Sequence, residues 1–562
     1  TQVKHSMGGV WDEWYCAFDS GHWGWLAEAQ GRFYMSFSTR ANSYPAFGSL
    51  SPGQTLSGLT ADSLVVAELG QAQILGAKGE IPYLLEPGGT YNFADLSGAG
   101  GVFGTLDYSE AQPELYLGKE VTLAELGIAV SAPAREEAGK QISAHALECP
   151  NCRGSLELVA PEQCERVACP YCGALSDVNQ GKLNILQILD KGRFPEPPIA
   201  LGSKGVIKGH AEDQEMVVCG YMVRSTSWHG EIYYWDEYLL YNPRIGFRWL
   251  TDSDGHWSFV DPVSVADVKN AFGGASYQGR RYRKFDSVTS QVEFVLGQFY
   301  WNVEPGERVS MADYTSPPFS LSEEKSKSEI NWSRSTYLPK EVVEKAFGIK
   351  LNKPSHGTVG LNQPYTQKGV YKAFALMMVL AIAVFAAASS HNKGTVAFSQ
   401  TFNFDATAAK EPQVQFSEPF TLKGGRNIQA VAYSPVNNAW VYAQFDLINE
   451  ETGAATFFDI PIEYYSGPGW SEGSNKGEKV LATLGKGTYT LRIGAERKNW
   501  DRPTQIAVTI REGVVRIRYL FVLLLFLLLL PFFTFLHHRH FEQRRWSDAS
   551  EDGPFWAQES DS

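Results

Sequence analysis

Apolar and polar residues alternate with a period of two in short stretches along most of this chain, which predicts β-strands throughout. Trp25 to Ala29 and Arg32 to Phe37 flank Gln30-Gly31, and Phe247 to Ser253 and His256 to Val260 flank Asp254-Gly255. A Gly-containing pair between two alternating aromatic segments marks a hairpin, because the tight turn needs positive φ at its centre. Strand-like segments continue at Gly205 to Lys208 and Met216 to Val223. Beyond residue 400 they are Val414 to Phe420, Asn427 to Tyr433, Ala439 to Asn449, Phe457 to Glu463, Glu478 to Leu484, Thr488 to Ala495 and Thr504 to Arg511. Turn residues such as Pro435-Val436-Asn437-Asn438 separate these last strands, and their spacing predicts a β-sandwich. Short amphipathic helices are expected at Val121 to Leu126 and Glu341 to Phe347. Two runs break the pattern: Ala373 to Ser390 and Tyr519 to Leu536 carry no charged residue. Eighteen helical residues rise about 27 Å, close to a bilayer core of about 30 Å. The second run ends in His537-His538-Arg539-His540, an interfacial anchor.

The alternating segments recur. Trp11-Asp12-Glu13, Trp25-Leu26 and Gly31 reappear as Trp235-Asp236-Glu237, Trp249-Leu250 and Gly255. Glu86-Pro87-Gly88 with Ala94-Asp95 reappears as Glu304-Pro305-Gly306 with Ala312-Asp313. Tyr116-Leu117-Gly118-Lys119-Glu120-Val121 reappears as Tyr337-Leu338-Pro339-Lys340-Glu341-Val342. The shifts are 224, 218 and 221 positions in turn. Three ordered blocks with small register changes read as a tandem duplication with altered loops. The second copy carries strand-like residues upstream of its first block (Pro197 to Arg224) that the first lacks. The first copy is therefore expected to be N-terminally incomplete, with an open strand edge.

At 562 residues the chain has room for three or four domains. Its 44% hydrophobic and 20% charged residues are those of folded protein, and 13% aromatic residues favour β-structure. The acidic end from Ser547 is expected to be partly disordered. A net charge of −13 with no basic stripe argues against nucleic acid as the main partner. The first residues, which begin at Thr1 rather than at Met, carry no secretory-signal pattern. Near the ends of the apolar runs, Lys368, Lys372, Arg539, Arg544 and Arg545 on the outer arms face Lys393, Arg511, Arg516 and Arg518 in the loop, which does not orient the spans. The cysteines do orient them. All seven Cys precede the first run, and zinc-type thiols persist best in a reducing compartment. The N-terminal domains and C-terminal tail are expected in the cytoplasm and the central loop outside.

Cys149-Pro150-Asn151-Cys152 and Cys169-Pro170-Tyr171-Cys172, separated by sixteen residues, form the zinc-ribbon pattern. Each C-x2-C aims two thiolates at one point, and four sulfurs close a tetrahedron with no open position, so the expected zinc is structural. Gly154 and Gly173 follow the two knuckles, and Cys164 is expected to be a free thiol. In the ungapped register His5 falls opposite His229, beside Asp12/Asp236 and Glu13/Glu237. Adjacent Asp and Glu on a strand point to opposite faces, so at most one can join the histidine. No catalytic residue is assigned: the sequence has no nucleophile elbow, H-E-x-x-H, P-loop or dinucleotide motif. Trp11, Glu13, Trp235 and Glu237, with His229, are candidate ligand-binding residues, since indoles and carboxylates can cradle an organic cation.

The repeated W-D-E block, the later E-P-G and Y-L-x-K-E-V blocks and the ribbon between them resemble bacterial membrane proteins of the family catalogued as domain of unknown function 4178. The resemblance covers about residues 1 to 350. It implies a bacterial inner-membrane protein with a link to polyamine metabolism or membrane stress, and it carries over no catalytic residue. The fold expected is mainly β, with tandem duplicated antiparallel β domains. In order these are a first repeat (1–130), a zinc ribbon (145–180), a second repeat (197–350), a transmembrane helix (373–390), an extracytoplasmic β-sandwich (391–515), a second transmembrane helix (519–536) and a tail (537–562). The function expected is a membrane-anchored, non-enzymatic assembly or sensor protein that binds a protein partner or oligomerises. The alternative is a module that binds or modifies polyamines or other small cations.

Overall fold

The computed structural model describes every residue except 1, 7–9, 30–31, 81–85, 123–124, 128–146, 180–181, 229, 353–357, 408–410, 548, 551–553 and 555–562. The chain divides into two units, Thr1–Tyr365 with His537–Ser562, and Thr366–Leu536.

The first unit begins with strands β1 (Gln2–Ser6), β2 (Val10–Ala17), β3 (Trp23–Ala29), β4 (Arg32–Thr39), β5 (Thr55–Leu56), β6 (Leu64–Lys78), β7 (Thr90–Ser97), β8 (Val102–Asp107) and β9 (Glu114–Val121). They form one antiparallel sheet in the order β1-β2-β3-β4-β9-β8-β7-β6-β5, and β1 also pairs with β6. Eight strands thus close into a barrel, and the edge expected to be open at β1 is occupied on both sides.

Small strands follow: β10 (Leu147–Glu148), β11 (Ser155–Leu156), β12 (Arg166–Ala168), β13 (Ala174–Asn179), β14 (Lys182–Ile188) and β15 (Lys204–Val206). Next come β16 (Glu215–Trp228), β17 (Glu231–Asn242), β18 (Gly246–Ser253), β19 (His256–Val263) and the hairpin of β20 (Lys269–Ala271) and β21 (Gly274–Tyr277). The unit's last strands are β22 (Arg280–Phe299), β23 (Arg308–Ser316), β24 (Phe319–Lys325) and β25 (Ile330–Leu338). Here β16-β17-β18-β19-β25-β24-β23-β22 follow one another, and β22 returns to β16. This is the strand order of the first barrel. The irregularities agree too. A register shift falls between Val66 and Glu68 in β6 and between Lys284 and Asp286 in β22. Another falls between Lys4 and His5 in β1 and between Val223 and Arg224 in β16. His5 therefore occupies the strand position of Arg224, not the position of His229 that ungapped counting suggests.

The third sequence block is not kept in register by the pairing. Tyr337 lies opposite Ser258, but Tyr34, the counterpart of Ser258, lies opposite Glu120 rather than Tyr116. The reason is local. In the first barrel the strand runs on through Gly118 to Val121. In the second, Pro339 precedes helix α1 (Lys340–Phe347), which ends at Gly348 with φ 66°. The matching helix expected at 121–126 is not formed by its described residues: Val121 ends β9, and residues 125–127 make a turn. The Asp254-Gly255 hairpin turn is present, with φ of 52° and 79°; Gln30-Gly31 lies outside the described residues.

Helix α2 (Gly369–His391) contains the first apolar run, and helix α3 (Ile517–Trp546) contains the second. Both are long and apolar enough to cross a membrane. The helix expected to stop at Leu536 continues to Trp546, so the first ten residues of the expected tail are helical. Most of the acidic end after Ser547 lies outside the described residues. Between the two helices a four-stranded and a six-stranded sheet share one core, which includes Phe402, Phe404, Phe445, Leu491, Ile506 and Val508. Six of the seven strands expected there are found within a few residues of their bounds; the one expected at Val414 to Phe420 is split into Gln413–Phe416 and Phe420–Leu422, and Lys393–Phe404 and Trp470–Ser474 are additional.

Candidate metal centre and the barrel interiors

Two knuckles build the metal centre. Cys149 N–H donates to the Gly154 carbonyl and Arg153 N–H to the Cys149 carbonyl, at 2.9 and 2.8 Å. Cys169 and Gly173 repeat the pattern, with Cys169 N–H donating to Ala174 and Gly173 N–H to Cys169, both at 2.9 Å. Each turn needs one left-handed residue, and these are Arg153 (φ 60°) and Gly173 (φ 74°). Gly154 is small for a different reason: a Cβ there would sit 2.5 Å from the Tyr171 ring.

The four thiols converge. Their sulfurs all lie within 4.8 Å of one another, with Cys149–Cys172 at 3.6 Å and Cys152–Cys169 at 3.7 Å. A disulfide would need about 2.05 Å. Tetrahedral zinc with bonds of about 2.3 Å separates its sulfurs by about 3.8 Å, so the donor set fits a metal ion of that size. Cys149 and Cys169 are buried and Cys152 is exposed. Cys164 is a separate thiol, buried and pushed up to about 12 by that burial.

The metal turns are built into the second barrel. Strand β12 pairs with the end of β22, Ala168 opposite Gly297 and Arg166 opposite Phe299. Gln298, almost fully buried, accepts from Val159 N–H at 2.6 Å. Strands β12, β13 and β14 therefore extend the same sheet that closes the barrel.

Of the candidate ligand residues, His229 lies outside the described residues, as does the side chain of Trp11. Glu13 is half-buried on β2, opposite Val3 and Ala27. Trp235 and Glu237 do come together: the indole Nε1–H donates to Glu237 Oε1 at 2.7 Å. Sequence reasoning missed the residue that completes this group. Arg224, 5% exposed, lies 3.7 Å from Glu237 and 2.5 Å from Glu324, and it donates to Ser290 Oγ at 2.7 Å. Its guanidinium stands 6.0 Å over the Trp235 ring. The cation-binding cradle expected at Trp235 and Glu237 thus holds a cation of the chain itself. Asp236 points away, as strand alternation requires, and accepts from Tyr221 Oη–H at 2.7 Å.

Each barrel also holds a carboxylate that accepts from a hydroxyl on the next strand. Thr105 Oγ1–H donates to Asp95 at 2.7 Å, and Ser322 Oγ–H donates to Asp313. Each aspartate faces another carboxylate across its strand pair, Glu68 and Asp286 respectively. Burial pushes Asp95 and Asp313 up to about 6, and burial with the nearby Asp95 and Glu329 carboxylates pushes Glu68 up to about 8.

Fold and site together define a mainly β protein with a β-barrel architecture, a four-cysteine cluster able to hold a metal ion, and two helices apolar enough to span a membrane. Within it, residues 208–340 match the family described as Domain of unknown function (DUF4178). No curated protein matches the chain. Among solved structures, one of infectious bursal disease virus (Gx strain) is similar at 10% identity and a TM-score of 0.14. That match covers 60% of this chain and 62% of its own, less than two thirds of the viral chain's length. One of PNGF-II has the same identity and TM-score, covering 52% and 68%. The sialidase of Trypanosoma rangeli, solved with sialic acid, covers 92% and 89% at 10% identity and a TM-score of 0.10. Overlaps this loose carry no argument about fold or function.

Proposed function

We propose that this is a membrane-anchored, non-enzymatic assembly or sensor protein of the bacterial inner membrane. In this reading the barrels are a tandem duplication that binds a partner in the cytoplasm. The paired sheets between the helices form an extracytoplasmic β-sandwich, and the cysteine cluster holds a structural zinc. The observation that carries the reading is the neutralisation of the Trp235–Glu237 group by Arg224. A site built to bind or turn over a cation would leave that carboxylate available. Here Glu237 and Glu324 are committed to an internal guanidinium, so the group holds strands together instead. Common strand order and common bulge positions support duplication more strongly than the sequence blocks do. Strand pairing aligns Val121 with Leu338, a shift of 338 − 121 = 217 positions, since they stand opposite Phe33 and Trp257.

The test is purification of the full-length protein from its native membrane in mild detergent, with mass spectrometry of proteins and small molecules. A stoichiometric protein partner, lost when either barrel is deleted, is the expected result. Recovery of a bound polyamine with no protein partner would overturn the reading in favour of ligand handling.

A further inference from the structure

The second barrel carries a cavity of ≈ 530 Å³ between its sheet and the turn at 209–213. Arg248 and Arg334 line it and share one carboxylate, Asp261, at 3.0 and 3.5 Å. Phe319 forms an apolar wall, with the Arg280 and Arg334 guanidiniums 4.8 and 5.6 Å from its ring centre. On the rim, Glu212 pairs with Arg244 at 3.6 Å, and Asp213 accepts from Gly209 N–H at 2.6 Å. Among the residues that line the cavity, two guanidiniums (Arg248 and Arg334) stand with two carboxylates (Asp261 and Glu212), and Glu212 is itself drawn toward Arg244. The Arg334 Nε–H is buried with no hydrogen-bond partner among the described residues. A buried donor without a partner is costly unless something else supplies the acceptor.

The rim itself is strained. Ala211, Glu212 and Asp213 run at φ 50°, 52° and 56°, three consecutive non-glycine residues in the left-handed region. Such backbone persists only where the surroundings enforce it, and it gathers at ligand sites. His210, lining the same cavity, packs its ring on Phe259 at 4.9 Å. All these residues fall within the span matched by the family of unknown function.

We propose that this cavity binds a phosphate group, either of a small solute or of a lipid headgroup, with Arg334 as its principal donor. A guanidinium fork matches the oxygens of a phosphate, and the Arg334 terminal N–H groups meet their present acceptors, Gln278 and Asp261, only at 3.4 and 3.5 Å, so a phosphate oxygen can compete for them. The test uses full-length protein in detergent and two probes: inorganic phosphate, and short-chain dihexanoyl phosphatidic acid. Binding is followed by ³¹P line broadening. Saturable binding of either probe is expected, weakened at least tenfold by Arg334→Gln. Preference for the free ion assigns a solute and preference for the lipid assigns a headgroup. Removing the rim carboxylate with Glu212→Gln, a change at an exposed position, should tighten binding severalfold. The proposal is overturned if neither probe saturates, or if Arg334→Gln folds and binds unchanged. If Arg334→Gln does not fold, Glu212→Gln decides alone, and unchanged affinity overturns the proposal.

Discussion

The Arg545 guanidinium donates to the Leu361 carbonyl at 3.0 Å, across 184 positions of chain. Leu361 also accepts from Thr315 Oγ1–H of β23 at 2.7 Å, and the Asn362 amide bonds Ser258 of β19 at 3.1 Å. Gly360 lies so close to the His256 ring that a Cβ would stand 2.9 Å from it. Residues 358–363 are thus clamped against β19 and β23, with Arg545, 2% exposed, as the clamp. Arg545→Ala should cost about 1–3 kcal/mol and speed amide exchange at 358–363, with the strands of the barrel unchanged. Exchange protected as in the wild type would show that the clamp is dispensable.

Removing Arg224 leaves Glu237 and Glu324 without their cation. Arg224→Met should destabilise the first unit by about 3–5 kcal/mol, the usual cost of stranding a buried charge. The triple change Arg224→Met, Glu237→Gln, Glu324→Gln should recover much of that loss. Thermal unfolding of the single and triple variants measures the difference, and equal midpoints would contradict the pairing.

One metal ion per chain is expected by elemental analysis, lost in Cys149→Ser and Cys172→Ser. Structural zinc sites are worth on the order of 10 kcal/mol. Chelation should therefore unfold residues 147–178 and also loosen β22, because β12 is hydrogen-bonded to it. Hydrogen exchange at 297–299 before and after chelation provides the check.

Buried carboxylates set a pH dependence. Asp95 and Asp313 titrate at about 6 in the fold and Glu68 at about 8, against 3.8 and 4.5 when unperturbed. The folded state therefore holds protons that the unfolded chain releases, so stability falls as pH rises through this window. The decline should run from about pH 4 to about pH 8, and each tenfold gain in proton affinity on folding contributes at most about 1.4 kcal/mol to it. Partial exposure of these side chains reduces that figure. Asp313→Asn should flatten the lower part of the curve, and a denaturant series across that range tests the sign.

The four-cysteine pattern and the Asp254-Gly255 hairpin are legible in the sequence because each depends on residues a few positions apart. Two C-x2-C knuckles at fixed spacing and a turn that demands positive φ leave few alternatives. Arg224 is not legible: its partners Ser290 and Glu324 lie 66 and 100 positions away, and a lone arginine in an apolar strand gives no local signal. The Tyr116 and Tyr337 blocks mislead for the opposite reason. Their letters agree, but Gly118 allows the strand to continue where Pro339 ends it. A Cβ on Gly118 would lie 1.9 Å from the Met35 carbonyl oxygen, so close strand approach fixes that glycine. The continuation of α3 to Trp546 is hidden because charged residues after Leu536 resemble a loop, until Tyr365, stacked 4.2 Å from His538, is seen to hold them.

Gly297 stands opposite Ala168 of β12 and Gly220 of β16 at once. At this one position the closing seam of the barrel and the cysteine turns share a backbone unit, with Cys169 the next residue after Ala168. A side chain at 297 would meet the Cys219 carbonyl oxygen at 2.3 Å. The arrangement works as a rigid joint with no linker to absorb strain. A distortion at the thiols reaches the barrel's closing strand within two residues, and the two cannot move independently.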